Sequence, residues 1–125
     1  MQEEVSSKSC KTPRWRMLKA HLKNLEPTTF KSLMETEPNA VLIDVRTPQE
    51  FGRSHFEGAI NISYFAEDLC DRLETLDKDK TYLVYCRSGR RSIRVGTLMR
   101  NSGFDTQKVY NLDGGLVAWQ EVFGE

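Results

Sequence analysis

Tyr82-Leu83-Val84-Tyr85-Cys86-Arg87-Ser88-Gly89-Arg90-Arg91-Ser92 carries an apolar run straight into a cysteine, and the cysteine into a segment with Val95, Leu98 and Met99 at helical spacing. A strand that ends in Cys86 and turns at once into a helix aims that helix's unpaired N–H groups at the sulfur. Those donors and the helix dipole stabilise negative charge there. Arg87, Arg90 and Arg91 add three permanent positive charges to the same loop, and Gly89 permits a tight or left-handed turn. A lone cysteine closing a buried strand is ordinarily an inert packing residue. Three arginines, a serine and a glycine make poor neighbours for such a residue, so the pattern points instead to a reactive thiolate handling an anionic substrate.

Outward from this loop the chain alternates between two kinds of segment. Ala40 to Val45 is a short unbroken apolar run, as in a strand buried on both faces. Ala59 to Ile62, Thr81 to Tyr85 and Val109-Tyr110 read as further strands, and Leu22 with Leu25 as a short extended segment. Pro27-Thr28-Thr29 opens a helix carrying Phe30, Leu33 and Met34. Thr47-Pro48-Gln49-Glu50-Phe51 opens another with a threonine cap and proline at its first position. Phe65 to Leu76, with Leu69, Leu73 and Leu76 on one face, predicts a helix, as do Arg91 to Asn101, stopped at Gly103, and Leu116 to Trp119. Strands alternating with helices imply an α/β fold, a mostly parallel sheet covered on both faces. Ligands of such sheets bind beyond the carboxyl ends of the strands, and Cys86 falls at one.

At 125 residues the chain suits a single domain, with residues 1–18, polar and mildly basic, read as an extension that is disordered or draped over the domain formed by 19–125. Trp15 is the residue of that arm suited to anchoring it. Lys+Arg 18 balance Asp+Glu 18, so the basic excess of a nucleic-acid or membrane-surface protein is missing. No stretch approaches the length of a membrane span and no signal-peptide core stands at the N-terminus, which makes cytoplasmic residence the default expectation. Cys10, Cys70 and Cys86 are widely spaced, and His21 and His55 stand far apart, so neither a metal site nor a disulfide framework is suggested. Reduced thiols fit best, with Cys70 a packing residue on its helix.

The chain resembles the rhodanese family of single-domain sulfurtransferases from about Leu22 to Val122, through four motifs in order. Asp44-Val45-Arg46 with Pro48-Gln49-Glu50-Phe51 is similar to the family's Asp-Val-Arg and Pro-x-Glu-Phe signature, and His55 to Ile62 to its His-x-x-Gly-Ala-x-Asn-Ile segment. Cys86 to Ser92 resembles the active-site loop, and Asp113-Gly114-Gly115 with Ala118-Trp119 the Gly-Gly-x-x-x-Trp motif. The resemblance implies a five-stranded, mainly parallel sheet flanked by helices on both faces, no cofactor, and a persulfide carried on Cys86 within a binding loop of Arg87, Ser88, Gly89, Arg90, Arg91 and Ser92. Asp44 and Arg46 are read as structural support and His55 as ordering a turn. Trp119 is read as core, and Gly114-Gly115 as a sharp turn into the last helix.

Thiosulfate, a small dianion with an electrophilic outer sulfur, fits this loop as donor. Cyanide or a cellular thiol such as thioredoxin or glutathione fits as acceptor. The alternatives are a sulfur carrier or binding module for one dedicated partner, and a cysteine phosphatase or arsenate reductase. The last pair place five residues between cysteine and arginine, whereas four separate Cys86 from Arg91 and Ser92 occupies the position that would serve.

Overall fold

A computed structural model describes residues 23–124. The expectations for residues 1–18, including Cys10 and Trp15, and for Leu22 lie outside the described residues. In chain order the elements are β1 (Lys23–Leu25), α1 (Pro27–Thr36), β2 (Val41–Asp44), α2 (Pro48–Arg53), β3 (Ile60–Asn61), α3 (Leu69–Glu74), β4 (Tyr82–Tyr85), α4 (Arg90–Asn101), β5 (Val109–Leu112) and α5 (Gly115–Phe123). The five strands form one sheet in the order β1-β5-β4-β2-β3, and all four pairings are parallel. The strand that feeds Cys86 is therefore the middle one.

Period-two alternation along β4 divides the core in two, as expected of a strand with both faces covered. Tyr82 and Val84 pack with Ile43, Val45 and Val109 under α3 and α4, which contribute Leu69, Leu73, Ile93, Val95, Leu98 and Met99. Leu83 and Tyr85 pack on the opposite face with Leu112 under α1 and α5, against Phe30, Leu33, Leu116 and Trp119. Cys86 belongs to the first cluster, with none of its surface exposed. Loop lengths place the helix starts, including that of α4, at the carboxyl edge of the sheet.

Local chemistry explains where elements begin. Thr47 caps α2 through a reciprocal capping box with Glu50, and Pro48 occupies the first turn, where its missing N–H is harmless. The helix expected from Phe65 is shorter and starts at Leu69. The Ser63 hydroxyl accepts the Phe65 N–H, and the Ser63 carbonyl accepts that of Ala66, turning residues 63–66 into a tight bend that leaves Phe65 65% exposed. Cys70, half-buried in α3, is disulfide-bonded, a correction to the expectation of reduced thiols throughout. Cys86 is the free cysteine among the described residues.

Candidate active site

Cys86 ends β4, and the chain then folds back over its own sulfur. The Gly89 N–H donates to Cys86 Sγ at 3.1 Å, and the Ser92 hydroxyl lies 3.4 Å from the same atom. Gly89 is the N-cap of α4 with φ +93°, a left-handed conformation that brings its N–H inward. Ser92 also stands 3.2 Å from the Gly89 carbonyl. Its single hydroxyl proton can serve one acceptor at a time, and a charged sulfur is the stronger of the two. Arg87, Ser88 and Arg90 are exposed around this buried centre. A sulfur surrounded by donors and a helix N-terminus, inside a cationic rim, can carry negative charge and meet a small oxyanion.

The loop is clamped from behind by α5. The Leu116 N–H donates to the Cys86 carbonyl and the Val117 N–H to the Arg87 carbonyl, each at 3.0 Å, so free donors of one helix start satisfy the acceptors of the loop. Gly115 makes this approach feasible. At its φ of +64° a Cβ would lie 2.4 Å from the Arg87 carbonyl oxygen and 2.7 Å from that of Cys86. The sequence predicts Gly114-Gly115 as a turn into the last helix; the turn also seats that helix on the Cys86 loop.

Of the loop residues expected to act together, Cys86, Gly89 and Ser92 converge. Arg91 turns aside: its Nη1 lies 3.6 Å from Glu50 Oε1 and its guanidinium is 5.5 Å from the centre of the Phe65 ring. Glu50 also accepts from the Thr47 N–H at 3.0 Å and from its hydroxyl at 3.1 Å. Burial works to raise the Glu50 pKa, but the Thr47 donors and the charges of Arg91 and Arg46 outweigh it and hold this carboxylic acid below its ordinary value. Glu50 is the residue that sequence reasoning passed over. Its sequence signal is an acid three positions after a threonine cap, which marks a capping box and carries no trace of the contact to Arg91.

Asp44 and Arg46 stand together beneath the site. Arg46 Nε donates to both Asp44 oxygens at 3.0 and 3.1 Å, Nη2 donates to Oδ2 at 2.8 Å, and Nη2 reaches the Ser54 carbonyl at 2.6 Å. Both residues are buried. Burial opposes the guanidinium charge, and the Asp44 hydrogen bonds and charge more than offset it, raising the Arg46 pKa. Asn61 Nδ2 donates to the backbone carbonyls of both Asp44 and Arg46 at 2.9 Å, tying β3 to the loop after β2. His55 is exposed and stacks on Phe51, with Nδ1 donating to the Phe51 carbonyl at 2.7 Å, which closes the end of α2. Trp119 packs against Phe56, whose N–H donates to the Tyr85 hydroxyl. Among the described residues no group of three or more His, Cys, Asp or Glu could hold a metal ion, and no helix is long and apolar enough to cross a membrane.

These features define a parallel α/β domain with a buried cysteine seated at a helix N-terminus, at the carboxyl end of its middle strand. Residues 26–122 match the model of the Rhodanese-like domain, and the chain belongs to that family. The "Putative sulfurtransferase YtwF" of Bacillus subtilis (strain 168) is 35% identical over 99 residues, covering 79% of this chain and 91% of that protein. The tRNA uridine(34) hydroxylase of Enterobacter sp. (strain 638) is 36% identical over 90 residues, 69% of this chain, and the chain spans only 25% of that protein's length. Among solved structures, the polysulfide-sulfur transferase homodimer of Wolinella succinogenes is similar with a TM-score of 0.69 and 29% identity, over 86% of this chain and 80% of that one.

Proposed function

We propose that this protein is a sulfurtransferase that moves a sulfane sulfur from a small anionic donor of the thiosulfate type, through a persulfide on Cys86, to a thiol acceptor. One observation supports this above the rest: Cys86 Sγ, at the start of α4, already accepts the Gly89 N–H at 3.1 Å with the Ser92 hydroxyl at 3.4 Å. Membership of the Rhodanese-like family and the names of the sulfurtransferase relatives agree with it.

In the first half-reaction the Cys86 thiolate attacks the outer sulfur of thiosulfate. A new S–S bond forms, the bond to the sulfonate sulfur breaks, and sulfite leaves with that bond's electron pair. Total charge is unchanged, because the thiolate and the dianion become an anionic persulfide and dianionic sulfite. Arg87 and Arg90, at the exposed rim, and Arg91 offer fork-shaped donors to the oxyanion as it arrives and leaves. The Gly89 N–H and α4 dipole stabilise the persulfide until an acceptor such as thioredoxin or glutathione, or cyanide in the test tube, attacks its terminal sulfur and restores the thiolate. Cys86 has no exposed surface at rest, so the donor reaches its sulfur past the side chains of the exposed rim formed by Arg87, Ser88 and Arg90. Asp44 and Arg46 support the site without touching the reacting atoms.

Mass spectrometry of the protein after thiosulfate treatment tests this directly. The mass rises by one sulfur atom on Cys86, a thiol or cyanide reverses the gain, and the Cys86→Ser variant shows neither the gain nor turnover. Transfer at the normal rate by that variant would end the proposal. Robust hydrolysis of a phosphorylated test substrate without any sulfur loading would favour the phosphatase reading instead. Sulfur passed to one protein partner but to no small thiol would point to a dedicated carrier.

A further inference from the structure

Glu50 touches the Cys86 loop through Arg91. Two donors from Thr47, at 3.0 and 3.1 Å, fix its Oε1 whether or not Arg91 is present. The Arg91 contact is longer, 3.6 Å, an ion pair without a good hydrogen bond. The two side chains are 21% and 25% exposed, which shields the pair partly from water. The guanidinium rests on the Phe65 face on another side. Thus an anchored carboxylate stands beside the loop, with a loosely held cation leaning on it.

We propose that Glu50 is a positioning residue that serves as a resident counter-anion: it engages Arg91 in the resting protein, and an incoming dianion competes with it for that guanidinium. The inference rests on the reading of the site as one for small anionic donors, and it adds a determinant of how tightly they bind. The charge of Glu50 repels any anion brought near Arg91, and a dianion feels this twice as strongly as a monoanion at the same distance. The loop therefore holds dianions less tightly than its arginines alone would, which favours release of the anionic leaving group.

Glu50→Gln removes the charge while keeping the cap, because glutamine serves equally at this position of a capping box. The probe is inorganic sulfate, compared with nitrate as a monoanion, titrated calorimetrically at fixed ionic strength into wild type, E50Q, R91Q and the double variant. E50Q should bind sulfate roughly three- to tenfold more tightly, the range expected for removing one partly screened like charge. Nitrate should change less, and the gain should shrink in the R91Q background, where no guanidinium is left to compete for. A merely structural Glu50 would lower the melting temperature and weaken binding, and would not tighten it. Equal or weaker sulfate binding by E50Q, or a gain that persists undiminished without Arg91, overturns the proposal. Tighter sulfate binding in a protein that never loads sulfur would leave this inference standing and remove the functional reading. Normal sulfur loading with unchanged sulfate affinity would do the reverse.

Discussion

Replacing Gly115 by alanine isolates the clamp behind the loop. The new Cβ would sit 2.4 Å from the Arg87 carbonyl oxygen, 2.5 Å from its carbon and 2.7 Å from the Cys86 oxygen, all backbone atoms with little freedom to move. Contacts below 3.0 Å essentially never occur for real Cβ atoms, so α5 must lift off the loop. Holding alanine at φ +64° costs about 1 to 2 kcal/mol. Lifting the helix breaks the Leu116 and Val117 hydrogen bonds, each worth about 1 kcal/mol net. The sum, about 3 to 4 kcal/mol, is a large share of the stability of a small domain. Urea denaturation gives the stability, and the rate at which thiosulfate loads sulfur onto Cys86 gives the effect on the loop. Both should fall together. Gly52→Ala is the control, since nothing lies within 4 Å of a Cβ there, in α2; it should be neutral or stabilising by up to about 1 kcal/mol. Should Gly115→Ala lose less than about 1 kcal/mol and load sulfur normally, the clamp would have no energetic role.

Three further outcomes follow from the same geometry. Asp44→Asn leaves the buried Arg46 guanidinium without its counter-charge and should destabilise by about 3 kcal/mol or more in urea denaturation, a midpoint near wild type contradicting the pairing. Ser92→Ala should slow sulfur loading of Cys86 about tenfold with a stability change below about 1 kcal/mol, while an unchanged rate would mean that the hydroxyl serves only the Gly89 carbonyl. Burial raises the Tyr85 phenol above its ordinary pKa of 10.0 in the folded protein, so the unfolded chain releases this proton first and stability falls as pH rises past that value. Tyr85→Phe should lose about 1 kcal/mol at neutral pH with the Phe56 N–H bond, yet show a shallower alkaline decline between about pH 9 and about pH 11; parallel declines would count against the assignment.

Much of the architecture was legible because the relevant forces are local. Apolar runs such as Val41–Ile43 and Tyr82–Tyr85 can be satisfied only by a sheet covered on both faces, and the Thr47-Pro48 start announces its own helix. Cys86, Gly89 and Ser92 converge because one turn of chain brings them together. Two kinds of information were out of reach. The start of α3 at Leu69 follows a run of tight turns, with Ala66 N–H bonded to the Ser63 carbonyl and Leu69 N–H to the Ala66 carbonyl, which helical spacing of leucines cannot register. The Glu50 contact with Arg91 and the seating of Gly115 on Arg87 join residues distant in sequence, and their pairing is fixed by the parallel register of β2, β4 and β5.

The donors that hold the Cys86 and Arg87 carbonyls come from Leu116 and Val117, which follow the loop only after α4 and β5. Synthesis proceeds from the N-terminus at roughly 5–20 residues per second, so the cysteine emerges well before the helix that secures its loop. During that interval the Cys86 and Arg87 carbonyls lack the donors that hold them in the folded protein. The order of residues in the chain thus makes the backbone support of the loop one of the last parts of the fold to be completed.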